Sequence, residues 1–153
     1  MDRPRIVVFA SGTKTNGGSG FENLVNASNG GALEADIVGV VSNHAEGGVR
    51  ERAKRLGIPF IFFPGPYTAE EYQDVVSRVF RSPGLLRTEG GESGGEWVAL
   101  SGWLKLVKGL DPRRTFNVHP ALLSQFSWKF GGEGMWGKRV HTAIKNALEM
   151  GLI

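Results

Sequence analysis

The sequence predicts an α/β fold, a three-layer and mostly parallel sheet with helices on both faces. Short apolar runs rich in β-branched residues, RIVVFASG and ADIVGVVSN among them, read as strands buried on both sides. Segments with helical spacing, such as GGVRERAKRLG and TAEEYQDVVSRVF, fill the intervals between them. Strand alternating with helix along the whole chain is the pattern of a parallel, Rossmann-like sheet, which binds ligands beyond the carboxyl ends of its strands.

The first strand is RIVVFASG, ended by Ser11 and Gly12. A loop rich in Gly, Ser and Thr follows. FENLVNAS then sets Phe21, Leu24, Val25 and Ser28 on one helical face, and NGG stops that helix. ADIVGVVSN is the second strand. In the next helix Val49, Ala53 and Leu56 point inward and Gly57 is placed to cap the C-terminus. IPFIFFP is the third strand. Thr68 and Glu71 form a capping box ahead of the inward stripe Tyr72, Val75, Val76 and Val79. Residues 82–95 make a polar, Gly-rich connection that reads as a mobile surface loop. EWVALSG is a strand, WLKLVKGL a short helix, RRTFNVH a fifth strand, and GKRVHTAIKNALEMG a helix with Val140, Ile144, Ala147 and Leu148 on one side.

A chain of 153 residues, 41% hydrophobic, suits one packed domain spanning 1–153. The 23 glycines cluster in loops, with no fibrous period. A net charge of +3 without a long run of one sign suits a small anionic ligand better than a nucleic-acid track, so no nucleic-acid partner is expected. The chain has no cysteine, which excludes disulfides, thiolate nucleophiles and cysteine metal sites. The opening apolar run, Ile6 to Ala10, is too short for a signal-peptide core or a membrane span, so a soluble, cytoplasmic protein is the expectation. Nothing brings His44, His119 and His141 to one point, and no metal is expected.

Two sites can carry chemistry. In SGTKTNGGSGF, glycines allow backbone N–H groups to approach a phosphate at a helix N-terminus. The loop has neither a Walker A ending nor a good dinucleotide fingerprint, and a flexible loop without a ligand is the competing reading. In TFNVHPALLSQF, Asn117 and His119 alternate with Phe116 and Val118 and so share one face of a strand. A carboxamide N–H can hold the oxyanion of a tetrahedral intermediate and an imidazole can move its proton, a pair suited to acyl transfer. The competing reading is an Asn that makes a turn beside a His satisfied by backbone.

RIVVFASG with its loop before FENLV, VVSNHAEGGVRERAKRLGIP, VALSGWLKLV and FNVHPALLSQF followed by FGGEGMWGKRVHTAI together resemble the phosphoribosylglycinamide formyltransferases, the glycinamide ribonucleotide transformylases of purine synthesis. The Asn-x-His-Pro-x-Leu-Leu core alone would also admit methionyl-tRNA formyltransferase or formyltetrahydrofolate deformylase, and an inactive ribonucleotide-binding fragment is a further alternative. The resemblance implies transfer of a formyl group from the co-substrate 10-formyltetrahydrofolate to the amine of glycinamide ribonucleotide. It implies Asn117 at the developing oxyanion and His119 polarising the formyl group and assisting proton transfer. Gly18, Ser19, Gly20 and Phe21 match the turn that holds the ribonucleotide phosphate. Gly102, Trp103, Leu104 and Lys105 match the segment flanking the folate pocket, and Pro120 lies beside the substrate amine.

The sequence also departs from that pattern. Its first loop is longer than the family's, and Ser124 stands where the family usually has proline. The resemblance implies that a strand, a loop bearing an aspartate partner for the histidine, and further elements follow the helix HTAIKNALEMG. The sequence ends at Ile153, so the expected architecture is a formyltransferase fold truncated at its C-terminus. Asp111 falls at the wrong end of the fifth strand to replace that aspartate, and Asp74 belongs to a surface helix. Truncation would leave a sheet edge open to pairing with a second copy of the chain, a homodimer.

Overall fold

The structure is a computed structural model that describes residues 3–81, 95–118 and 138–151. The chain falls into two compact units, Met1–Asn117 and Val118–Ile153. In chain order the elements are β1 (Arg5–Phe9), α1 (Ser19–Asn29), β2 (Asp36–Ser42), α2 (Gly48–Leu56), β3 (Phe60–Phe62), α3 (Ala69–Phe80), β4 (Glu96–Ser101), β5 (Thr115–Val118) and α4 (Lys138–Glu149). Residues 82–94 of the predicted mobile loop lie outside the described residues.

The five strands form one parallel sheet in the order β3-β2-β1-β4-β5. The α/β architecture read from the sequence is the one observed. β1 is central because it is apolar on both faces: Ile6, Val8 and Ala10 join Phe21, Val25, Val49 and Ala53 of α1 and α2 on one side. On the other side Val7 and Phe9 meet Tyr72, Val75 and Val79 of α3. Each Val, Ile or Phe among them, fully buried, contributes about 1.5–3 kcal/mol, and these two apolar layers sandwich the sheet.

Strict alternation fails in β2. The register with β1 slips between Ile6 and Val7, which pair with Ile37 and Gly39. Val38 is the extra residue of a bulge. It resets the pleat so that Ile37 and Val40 face α1 and α2 while Val38 and Val41 face α3. Gly39 also faces α3, where an added Cβ would come within 2.8 Å of Val79 Cγ1.

The helices follow their sequence signals. α1 buries Phe21, Val25 and Ser28. α2 buries Val49 and Ala53 and ends at Gly57, whose φ of 70° is the left-handed cap that glycine adopts without penalty. Thr68 caps α3 by accepting from the Glu71 N–H at 3.2 Å. In the second unit, Leu148 on α4 is 59% exposed, so it does not share the burial of Val140 predicted for that face.

The short helix expected at WLKLVKGL does not form. Gly102 leaves β4 at φ 69°, and the Trp103 indole packs edge-on to Phe9, with centroids 5.2 Å apart. The backbone polar groups beyond it find side-chain partners. The Leu104 N–H donates to Ser11 Oγ at 2.9 Å, the Leu106 carbonyl accepts from the Tyr72 hydroxyl at 2.9 Å, and the Gly109 carbonyl accepts from Gln73 at 2.8 Å. These contacts to residues distant in sequence hold the segment in a non-helical course, and Leu106 is left 73% exposed.

Candidate functional site

The chain leaves β1 toward β2 and β3, then returns to β4 on the opposite side of β1. That reversal opens a crevice at the carboxyl ends of β1 and β4, the place where open α/β sheets bind ligands. Ser11, buried just beyond β1, ties the ends of three strands together. Its N–H donates to the Gly102 carbonyl at 3.1 Å, its Oγ accepts from the Leu104 N–H, and its carbonyl accepts from Ser42 Oγ at 2.9 Å.

The loop after β1 folds on itself through Thr13. The Thr13 N–H donates to the Asn16 carbonyl at 2.7 Å, and Thr13 Oγ1 accepts from the Asn16 N–H at 2.9 Å. The loop lies directly on the start of α2. A Cβ on Gly47 would sit 2.1 Å from the Thr13 carbonyl oxygen, and one on Gly48 would sit 2.3 Å from the Asn16 carbonyl carbon. Contact this close, backbone to backbone, admits only glycine.

At the crevice α1 begins. Gly18 is its N-cap, at φ 87°, and no side chain caps the turn. The Glu22 N–H closes onto the Gly18 carbonyl at 3.0 Å, and the preceding N–H groups, those of Ser19, Gly20 and Phe21, head the helix without an intrahelical acceptor. A helix N-terminus carries about half a positive charge, so this turn favours an anion. The Arg55 guanidinium, joined by Arg52, holds the Glu22 carboxyl below its ordinary range against some desolvation. Arg55 approaches Glu22 at 2.7 Å, Arg52 also pairs with Glu22, and Arg52 Nε donates to the Gly17 carbonyl at 2.9 Å.

The structure distributes the residues named from the sequence as follows. Gly18, Ser19, Gly20 and Phe21 form the first turn of α1, with Phe21 fully buried. A Cβ on Gly20 would meet Ser101 Oγ at 2.3 Å, so this turn abuts the end of β4. Beyond β4, Gly102 turns the chain and Trp103 Nε1 donates to the Tyr72 hydroxyl at 2.9 Å. Leu104 is 47% exposed, and Lys105 Nζ lies 5.3 Å from the Tyr67 ring centroid. Asn117 is exposed on β5, next to β4 in the sheet. His119, Pro120 and Ser124 lie outside the described residues.

The remaining candidates stand on other elements. The His44 N–H donates to Ser42 Oγ at 3.1 Å beyond the end of β2, and His141 is exposed on α4. Asp111 accepts from Arg113 and Asp74 pairs with Arg78 at 3.0 Å. Sequence reasoning missed the trio Glu22, Arg52 and Arg55. The available signal was Arg52, three residues after the inward Val49 and so on the same side of α2.

A parallel α/β sheet with an uncapped, glycine-rich helix start at its switch point defines a ligand-binding domain of the doubly wound class. Residues 4–151 match the formyl transferase family, and the chain belongs to it. A phosphoribosylglycinamide formyltransferase, chloroplastic, of Arabidopsis thaliana is 34% identical over 146 residues, covering 93% of this chain and 45% of that protein. The chain thus spans under half the length of the curated relatives it matches. Among solved structures, glycinamide ribonucleotide transformylase 1 of Geobacillus kaustophilus aligns with a TM-score of 0.64 at 25% identity, covering 94% of this chain and 68% of that one. Phosphoribosylglycinamide formyltransferase of Brucella melitensis aligns with a TM-score of 0.63 at 26% identity, covering 97% and 67%.

Proposed function

We propose that this chain takes part in formyl transfer from 10-formyltetrahydrofolate to the amine of glycinamide ribonucleotide, a step of purine synthesis. The observation that carries the reading is the position of the α1 start, where Gly20 in the turn Gly18 to Phe21 abuts Ser101 at the switch point of the sheet. In this reading the N–H groups of that turn hold the ribonucleotide phosphate. The segment Gly102 to Lys105 flanks the folate, with exposed Leu104 as an apolar wall, and Pro120 lies beside the amine.

The amine nitrogen attacks the formyl carbon, and the carbonyl oxygen takes up negative charge. The Asn117 carboxamide donates to that oxyanion and His119 assists the proton on its way from the amine to N10 of the folate, whose bond to the formyl carbon breaks. Such donors contribute about 10²–10³ in rate each. The reading includes a homodimer paired through β5, the terminal strand of the sheet among the described residues. Its location is the cytoplasm, whereas the plant relatives carry the word chloroplastic in their names.

Formyl transfer assayed with both substrates, beside calorimetric titration of glycinamide ribonucleotide, tests the reading. Turnover that Asn117→Ala and His119→Ala each lower about 100-fold or more supports it. Binding without turnover at high protein concentration overturns catalysis by this chain and leaves the phosphate seat. No binding overturns both. Sedimentation showing only a 16.6 kDa species overturns the dimer.

A further inference from the structure

The phosphate seat has a difficulty of charge. Glu22 stands in the first helical turn, immediately after Phe21, and a bare carboxylate there would repel an incoming phosphate. Two guanidinium groups answer it, but they differ in what else they do. Among the described residues Arg55 pairs with Glu22 alone, and its side chain is 58% exposed. Arg52 is 27% exposed and spans two elements. It pairs with Glu22 on α1 while its Nε holds the Gly17 carbonyl on the loop, and an added Cβ on Gly18 would lie 3.3 Å from its Cδ.

We propose that Arg52 is a positioning residue for ligand binding: it clamps the loop at Gly17 and the first turn of α1 at Glu22, so fixing the N–H groups of Ser19, Gly20 and Phe21 in one orientation. Two arginines against one glutamate leave the trio with one net positive charge beside the helix start. Arg55 supplies charge to that balance, whereas Arg52 supplies both charge and geometry. A lysine at 52 could keep the charge but, with a single nitrogen in place of the guanidinium fork, could not keep both contacts. The proposal rests on the phosphate-seat reading only for the nature of the ligand, since the clamp itself is a property of the free protein.

The test compares Arg52→Gln, Arg52→Lys and Arg55→Gln in the full 153-residue chain. Amide hydrogen exchange is read at the Thr13 and Glu22 N–H groups, which donate to Asn16 and Gly18 within the clamped region. Glycinamide ribonucleotide affinity is read by calorimetry, and each thermal midpoint is recorded. We expect exchange at both amides to quicken about tenfold or more in Arg52→Gln and Arg52→Lys and to stay unchanged in Arg55→Gln. Ribonucleotide affinity should fall about tenfold with either change at Arg52 and by a smaller factor in Arg55→Gln. Wild-type exchange in both Arg52 variants overturns the clamp, as does an equal loss of affinity in Arg52→Lys and Arg55→Gln. Absence of ribonucleotide binding by the unaltered chain overturns the phosphate seat instead, and the exchange comparison still decides the clamp. Should Arg52→Gln fail to fold, Arg52→Lys carries the same comparison.

Discussion

The Cβ position of Gly20 lies 2.3 Å from Ser101 Oγ, so the head of α1 and the end of β4 are in direct contact. Alanine at 20 gains about 1 kcal/mol of helix propensity but must turn the Ser101 hydroxyl aside, and a net change in stability within about 1 kcal/mol follows. Valine adds γ-carbons that cannot turn aside and should cost about 1–3 kcal/mol while abolishing ribonucleotide binding. Urea denaturation and calorimetry measure the two effects. Wild-type affinity in Gly20→Val would remove Gly20 from the seat.

Gly47 offers a harsher contrast. Its φ is 135° and an added Cβ would fall 2.1 Å from the Thr13 carbonyl oxygen, a backbone atom that has no rotamer to change. Gly47→Ala should cost about 1–3 kcal/mol or more through strain and overpacking. Gly31, at φ 83° with nothing within 4 Å of its Cβ position, should tolerate asparagine at a cost under about 1 kcal/mol. Equal costs in denaturant titrations would show that the loop shifts freely on α2.

Tyr72 joins two partners at once, accepting from Trp103 Nε1 and donating to the Leu106 carbonyl, each at 2.9 Å. Tyr72→Phe strands both and should cost about 1–3 kcal/mol. Burial pushes the Tyr72 hydroxyl pKa up, so the hydroxyl stays neutral in the folded chain where the unfolded one ionises. The associated stability is complete below pH of about 10 and is lost as pH rises beyond it. Stability measured across the alkaline range should fall less steeply in Tyr72→Phe. Parallel curves for the two proteins would count against the assignment.

Glu22 titrates in the opposite direction. Arg55, then Arg52, holds its carboxyl below the ordinary range, so its pairing contributes stability above the usual carboxylate pKa that disappears as pH falls through the lowered value. Glu22→Gln should flatten the acid limb of the stability profile and weaken its dependence on salt. An acid limb unchanged in slope would show that the two arginines do not couple to Glu22 in solution.

Most of the fold was legible because its signals are local. The apolar runs placed β1, β2 and β4, and the Thr68 and Glu71 pair marked the start of α3 where Thr68 does accept from the Glu71 N–H. The failures share a cause of the opposite kind. WLKLVKGL has helical spacing, but Ser11, Tyr72 and Gln73, all distant in sequence, bind its backbone groups instead. The bulge at Val38 was equally hidden, because a run apolar at every position does not reveal where its pleat resets.

The candidate site divides along the same line. Glycine clustering alone singled out the loop after β1 as a candidate place for backbone to approach a ligand, and the Asn-x-His spacing alone suggested an amide and an imidazole on one strand face, of which Asn117 lies among the described residues and His119 outside them. By itself, then, the sequence determined the α/β class, the helix caps at Gly57 and Thr68 and the residue types available for chemistry, since these depend on neighbours a few positions apart. Only the tertiary structure decided that Gly20 meets Ser101 and that Arg52 joins Gly17 to Glu22. The first contact exists because the chain returns to the other side of β1, the second because α1 and α2 pack on one face of the sheet, and a pairing across 30 or 80 residues leaves no periodic trace along the chain.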